Sequence, residues 1–519
     1  MKSVNNSTIE VSKDERAPIL WLALSLFVLV YLCVSLKTAA TNPLWMDEVL
    51  SKWASQFPTP AKICWALANG AQSAPPGYSV MLHYYVEMVG SSYLALRLPS
   101  ILASIVTALL AFQFVRRQFG VNAGAFTACF VLETLSPFSL QVRPYTIIVA
   151  CFAISLLLWN DLASSSARWR LVLIAFSLST AVAFHFYGVL FVPCFGIIEI
   201  VRILRTRQVR LGIWIALVIA GASIFLWSSI MRATSHYIAD DVGGSYAYRP
   251  APTLRLLLTN YLYLSCFGLN GGVVCILLIT FILGLSGRMT FLRKNRGSSP
   301  SVSTQDSERL CDFWNAAIGT ATLPIMVFVF TLLVTKTYSL RHTIAASIGV
   351  SAIFSALLSR LPYFARMMPA ILLGGAVWLI FLGVPQTPPF DHSAIYGSLP
   401  GPYPIVVADG SQFVQLEDSA PPEFRSRLVF LFTPPGVPIG DASDQHIIKR
   451  CTRVYPQLPV NDVAPFLAAN PEFYVLDERT SDDTPATYLL QMHKIAVWKK
   501  ISGAIIYRSI SLTAAGQRQ

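Results

Sequence analysis

The sequence predicts an all-α, multi-pass membrane domain followed by a small α/β domain outside the membrane, and three observations carry that reading. Of the 519 residues, 54% are hydrophobic and only 13% are charged, about half the charge of a soluble globular chain. The apolar residues fall in long runs, and the mean hydropathy is +0.56. Beyond residue 385 the pattern changes to Pro, Asp, Glu and Lys set among short apolar segments. Together these exclude an ordinary soluble enzyme.

Ala17–Leu36 is the first run and carries no charge. About 20 residues at 1.5 Å rise cross a ~30 Å hydrocarbon core, and a secretory signal core is only ~7–15 residues long. We therefore read a retained first span. Further runs near 98–115, 122–138, 145–160, 171–187, 189–203, 211–230, 262–286, 313–335, 343–358 and 367–385 bring the total to about eleven. The basic residues support the alternation. Lys2, Lys13 and Arg16 precede the first span, and Arg116–Arg117, Arg168 and Arg170, Arg202–Arg210, Arg288–Arg296, and Arg360 and Arg366 follow every second one. The positive-inside rule then puts the N-terminus in the cytoplasm of an inner (plasma) membrane. The net charge of +12 belongs to these loops, so membrane lipids rather than nucleic acid are the partner it implies. The Ser- and Arg-rich stretch Gly287–Arg309 reads as a flexible linker. Nine cysteines are scattered without CxxC or Cys/His spacing, which indicates neither a disulfide framework nor a zinc site.

The division falls between a membrane domain, 1–385, and an extracytoplasmic domain, 386–519. In the latter, β-rich runs Ile405–Asp409, Leu428–Phe432, Phe473–Asp477 and Ala504–Arg508 alternate with helical stretches near 462–469 and 486–495. That alternation predicts an α/β layer structure.

The outer side collects the residues with chemistry. Trp45–Met46–Asp47–Glu48 follows the first span; the same loop holds Ala74–Pro75–Pro76–Gly77–Tyr78 and, at the entry to the second span, Arg97–Leu98–Pro99–Ser100. Gln141–Val142–Arg143–Pro144–Tyr145 follows the third span. Singly, each has a plain structural explanation. Asp47 caps a helix, Pro-Pro turns a chain, and an arginine at a helix end reaches for headgroups.

Their order resembles the polyprenyl-phosphate-dependent glycosyltransferases of the C-type membrane fold, and within them the bacterial branch related to protein O-mannosyltransferases and lipid A aminoarabinose transferases. The resemblance is dense over residues 40–160, looser to 385, and does not identify the C-terminal domain. It implies that Asp47, with Glu48 beside it, stands at the catalytic centre and that transfer inverts the anomeric carbon. It implies a polyprenyl-phosphate sugar donor and leaves the acceptor open among lipid, glycan and protein. Cations for the donor phosphate are expected on the same face: Arg143 and Arg341, with Lys336 and Arg97 behind them, arginine being favoured by its bidentate geometry. His185, Tyr187, Tyr145 and His342 are the candidates for contact with acceptor or substrate, His185 equally reading as an interfacial histidine in an aromatic belt. Many bacterial relatives carry Glu where this chain has Gln141, and no metal or other cofactor is assigned.

Two other readings stay open on the residues alone. A transporter or flippase of lipid-linked sugars places charge near the bilayer midplane, whereas here Glu133 and Glu199 lie close to predicted span ends. An inactive assembly subunit is the other, suggested by Gln141. His236 with Asp240–Asp241 reads as a polar loop, and Asp409–Gly410–Ser411 as a turn or a strand-end ligand site.

Overall fold

The computed structural model describes residues 17–162, 167–242, 251–266, 304–336, 338–361, 363–381, 395–434, 443–477, 485–501 and 504–511. Helices α1 (Ala17–Thr41), α5 (Tyr93–Ser139), α6 (Tyr145–Asp161), α7 (Arg168–Phe184), α8 (Phe191–Thr206), α9 (Leu211–Ala222), α10 (Ser228–Val242) and α11 (Leu254–Cys266) form the bundle with Thr304–Ala321, Leu323–Phe330, Ala346–Leu358 and Phe364–Phe381. Between α1 and α5, the outer loop folds as α2 (Met46–Ser55), α3 (Pro60–Ala68) and α4 (Gly77–Val89). Among the described residues, six helical runs are long and apolar enough to cross a membrane: Pro18–Thr41, Tyr93–Ser139, Phe186–Thr206, Leu211–His236, Ser307–Thr335 and Phe364–Phe381. The chain is a membrane protein.

The second and third predicted spans are the two halves of α5. Gly120, with φ 83° and ψ 177°, breaks the helix between them, a conformation glycine adopts without steric cost. The Tyr31 hydroxyl bonds Ser104 Oγ at 2.8 Å and donates to Ser139 Oγ at 2.9 Å. One atom of α1 thus touches both halves, which run antiparallel. Several boundaries differ from the sequence expectation. The stretch 231–261, expected as loop, is helical to Val242 and again from Leu254, because its polar and apolar residues keep a helical period. The expected linker is helical from Thr304. Glu133 is buried inside the bundle, its carboxyl beside Cys129 Sγ at 3.7 Å and in the space left by Gly375, not at a helix edge. The eighth predicted span lies outside the described residues except 262–266, as does the expected domain boundary.

The two ends of the bundle are chemically distinct. At one, Arg117 pairs with Asp161, Arg205 with Asp312, and Arg202 and Arg210 close on Glu199 at 2.7 and 2.6 Å. At the other, Glu48 and Arg97 form a closed node, 1% and 3% exposed. Arg97 Nε and Nη2 donate to the two Glu48 oxygens at 3.0 and 2.8 Å. Its remaining N–H groups bond the carbonyls of Ala39, Asn42 and Pro43 at 3.1, 2.7 and 3.0 Å. Glu48 also accepts from the backbone N–H of Trp45 at 3.1 Å and of Val142 at 2.7 Å. This one pair ties the end of α1, the start of α2, the start of α5 and the α5–α6 turn.

The C-terminal domain is a six-stranded sheet of β1 (Ile405–Val407), β2 (Leu428–Phe432), β3 (Val460–Asp462), β4 (Tyr474–Asp477), β5 (Ile495–Ile501) and β6 (Ala504–Ser509), ordered β3-β2-β1-β4-β6-β5. The first four strands are parallel, and β6 and β5 add antiparallel. Strands β3 and β5 went unexpected; β5 has a bulge between Val497 and Lys499 and three lysines in and beside it, which blurred its alternation. Ile405 and Val407 face the core they share with Val49, Leu50 and Leu82 of the outer-loop helices, and Val406 faces the opposite core with Phe466 and Val475. The helix Gly410–Ser419 docks on α2. Asp418 accepts from Lys52 Nζ at 2.8 and 2.9 Å and from Trp53 Nε1 at 3.0 Å. Beside it, burial pushes the Glu417 carboxyl up to about 7 against the pull of Arg425, and its Oε1 has no hydrogen-bond partner.

Two outcomes are expected. Arg97→Ala strands a buried carboxylate and should cost about 3–5 kcal/mol, read as a lowered thermal-unfolding midpoint in detergent; an unchanged midpoint contradicts the anchoring role. Glu417 binds its proton more tightly folded than unfolded, so its stabilisation is complete below pH 4.5 and is lost as pH rises through about 7. Glu417→Gln should flatten that fall in the midpoint across the same range, and a slope equal to wild type contradicts it.

Candidate active site

Seven of the residues singled out in the sequence meet at the Glu48 end of the bundle: Asp47, Arg143, Tyr145, His185, Tyr187, Arg341 and His342. Successive helical residues point about 100° apart, so with Glu48 turned inward to Arg97, Asp47 faces away from the anchor. Its Oδ2 lies 3.5 Å from Arg341 Nη1 and 3.7 Å from Arg143 Nη2. The three side chains are 23%, 19% and 13% exposed for Asp47, Arg341 and Arg143, a partly desolvated cluster open on one side.

Each arginine is held by its own turn. Arg143 follows Val142, whose N–H is fixed on Glu48, and its carbonyl accepts from Ser100 Oγ at 3.1 Å. Its Nη1 reaches the Asp47 carbonyl and Ser51 Oγ, both at 3.3 Å. Arg341 stands in the 3-10 turn Leu340–His342 that leads into Ala346–Leu358. Between them, the Tyr145 hydroxyl accepts from Arg341 Nη1 at 3.1 Å and Arg143 Nη2 at 3.5 Å. Both guanidiniums also lie 5.7 Å from the Tyr145 ring centroid, so the ring helps to hold two like charges near one another.

The aromatic flank continues from Tyr145. His185 breaks the helix between α7 and the turn Phe186–Leu190, and its Nδ1 accepts from Tyr187 N–H at 3.2 Å. Its ring lies 5.6 Å from Tyr145 and 5.4 Å from His342. Tyr187 stacks on His342 at 3.7 Å and 14°, and its hydroxyl bonds Thr335 Oγ1 at 2.9 Å.

Three predicted residues sit elsewhere. Glu48 and Arg97 lie beneath the cluster, satisfied by each other and by backbone. Lys336 is exposed, and its ammonium turns back to the Leu332 carbonyl at 2.5 Å. Of the weaker candidates, His236 is exposed on α10, the side chains of Asp240 and Asp241 lie outside the described residues, and Asp409 caps a helix by accepting from Gln412 N–H at 2.8 Å. Reading the sequence passed over Gln72, Ser51 and Tyr78 as side chains. Gln72 Nε2 bonds the Asp47 carbonyl at 3.2 Å and Ser51 Oγ at 2.9 Å, while the Tyr78 hydroxyl is buried in the field of Arg143, Glu48 and Tyr145. The available signal was the position of Gln72 and Tyr78 flanking the Pro75–Pro76 turn, and of Ser51 one helical turn after Asp47.

The cluster's chemistry is that of an anion site. Arg143 Nε and Arg341 Nε are buried with no acceptor, although buried donors are nearly always paired. Asp47 is bracketed by guanidiniums, and among the described residues no three His, Cys, Asp or Glu side chains gather as metal ligands.

Comparison with known proteins bears on part of the chain. No curated protein sequence matches it significantly. Among solved structures, ArnT from Cupriavidus metallidurans in the apo state is similar at 15% identity and TM-score 0.49, over 95% of this chain and 98% of that one. The same protein bound to undecaprenyl phosphate gives 15% and 0.42, also over 95% and 98%. The Archaeoglobus fulgidus oligosaccharyltransferase in complex with zinc and sulfate gives 12% and 0.43 over 89% of this chain and 68% of that one. Residues 73–227, which carry Tyr78, Arg97, Arg143, Tyr145, His185 and Tyr187, match the family model of the dolichyl-phosphate-mannose-protein mannosyltransferases.

Proposed function

We propose that the protein transfers a sugar from a polyprenyl-phosphate carrier to an acceptor at the outer face of an inner (plasma) membrane, with Asp47 as base and Arg143 and Arg341 as ligands of the donor phosphate. The observation that carries this reading is the meeting of one carboxylate and two guanidiniums, brought from chain positions 47, 143 and 341, with a buried N–H on each arginine lacking an acceptor. The family match over 73–227 supports the donor class, since that family is described by a lipid-phosphate-linked sugar. The segregation of basic loops to the far end supports the outward orientation.

The charges explain how the site would act. Before the donor binds, Asp47 is the anion that the two arginines share. The long contacts of 3.5 and 3.7 Å leave it easily displaced. A donor phosphate supplies a stronger, bidentate partner for the guanidiniums, which releases Asp47 towards the acceptor hydroxyl. The acceptor oxygen then bonds the anomeric carbon as its proton passes to Asp47. The bond from that carbon to the phosphate oxygen breaks on the opposite side, and its electron pair leaves with the polyprenyl phosphate, where the guanidiniums stabilise it. Attack opposite the leaving group inverts the centre. The step requires a nucleophilic hydroxyl on the acceptor, whether lipid, glycan or protein.

The test incubates purified protein with labelled polyprenyl-phosphate sugars and cell-envelope acceptors. Asp47→Asn should lower transfer by about 100- to 10,000-fold while donor binding persists; near-normal turnover removes Asp47 from the mechanism. Arg341→Ala should weaken donor use by about 2–4 kcal/mol, and an unchanged donor affinity contradicts the phosphate assignment.

A further inference from the structure

We infer that the Tyr78 hydroxyl is a third ligand of the donor phosphate, completing a cradle with Arg143 and Arg341; the inference rests on the donor-phosphate reading above. Tyr78 opens α4 directly after the Pro75–Pro76 turn and is 3% exposed. Its hydroxyl has no hydrogen-bond partner. A tyrosine oxygen buried without a partner forfeits its bonds to water, and a phenylalanine would fill the same space without that cost. The surroundings point to what restores the loss.

The oxygen is neither adrift in apolar packing nor committed to structure. It lies in the electrostatic field of Arg143, Glu48 and Tyr145. Glu48 is saturated by Arg97, Trp45 and Val142, so it is not the acceptor in waiting. Burial holds the phenol proton well above the ordinary tyrosine range despite Arg143, and the group therefore remains a donor. Tyr78 Oη, Arg143 Nε and Arg341 Nε are thus three buried donors without acceptors. Buried unpaired atoms also occur elsewhere in the protein; these three are all donors, two belong to the arginines that flank Asp47, and the third lies in the field of one of them, Arg143. An oxyanion with several acceptor positions satisfies all three at once, and the phosphate of a polyprenyl-phosphate sugar, or of the carrier it releases, is such a group.

The position of the ring is built in. A Cβ on Gly77 would lie 2.5 Å from the Ala183 carbonyl oxygen, so only glycine lets α4 press against the end of α7. The Tyr78 ring then packs edge-on to Phe184 at 6.2 Å, one residue before His185. The backbone approach that fixes the helix start also fixes the ring beside the end of α7, where His185 joins the cluster.

Tyr78→Phe keeps the ring and removes only the oxygen. Binding of a polyprenyl phosphate without sugar is measured for the full-length protein in nanodiscs, beside the uncharged polyprenol. The expected result is a loss of roughly ten-fold or more in affinity for the phosphate, with polyprenol binding and acceptor KM unchanged and the thermal midpoint without lipid equal to or above that of the wild type. Unchanged phosphate affinity in Tyr78→Phe, with Arg341→Ala impaired, overturns the assignment of Tyr78 alone. Unchanged affinity in both variants overturns the donor-phosphate reading and this inference with it. A loss that extends equally to polyprenol shows a packing role and also overturns the inference.

Discussion

A carboxylate shut away from water must find its hydrogen bonds in the protein, and Glu48 finds four. The cost of burying it and Arg97 is offset only because every polar atom of the pair is engaged. The consequence is geometric. The loop after α1, the first turn of α2, the entry of α5 and the α5–α6 turn cannot move independently. Because Glu48 points into this anchor, the adjacent Asp47 points out of it, and because Val142 is tied to the anchor, the adjacent Arg143 is delivered to Asp47. Two neighbouring acidic residues thus have different tasks, one structural and one exposed to chemistry.

The same logic organises the rest of the end face. Arg341 arrives from a turn nearly 300 residues away in sequence, yet shares Tyr145 with Arg143. Two guanidiniums side by side repel, and the intervening phenol and Asp47 offset that repulsion without using every N–H. The result is a site with surplus positive donors and a carboxylate held loosely. The C-terminal domain braces it from outside. Asp418 grips Lys52 and Trp53 on the helix whose first turn bears Asp47, and the apolar core of the sheet runs on into the outer-loop helices. A domain so attached sits next to the site, and none of its described residues belongs to the charge cluster.

Much of this was legible in the sequence, and for physical reasons. Uncharged runs long enough to span a bilayer, with basic residues after every second one, gave the helical plan. The order of DE, RLPS and RPY along the chain marked Asp47, Arg97 and Arg143, and the Arg341–His342 pair at the start of the tenth predicted span marked Arg341. What the letters did not separate was role. Asp47 and Glu48 are alike in sequence, and which one faces the anchor depends on the start of α2. Arg97 looked as available as Arg143 until its five N–H groups were seen to be occupied. Lys336 lies close to Arg341 in sequence but turns back on its own helix. Tyr78 stood in a motif already noticed, yet a lone tyrosine after a proline turn carries no sign of burial. In the C-terminal part, β5 escaped because its bulge and lysines interrupt the two-residue period by which strands are recognised.

The central claim is that Asp47 and Arg341 are neighbours in the membrane-embedded protein, at one end of the bundle. Pairing Asp47→Cys with Arg341→Cys and treating native membranes with a short bifunctional thiol reagent tests it directly, with the linked peptides mapped by mass spectrometry. The account predicts a peptide joining positions 47 and 341 within one chain, formed less readily when polyprenyl phosphate occupies the site. Efficient labelling of both thiols with no such link, or labelling of the two from opposite sides of the membrane, would contradict it.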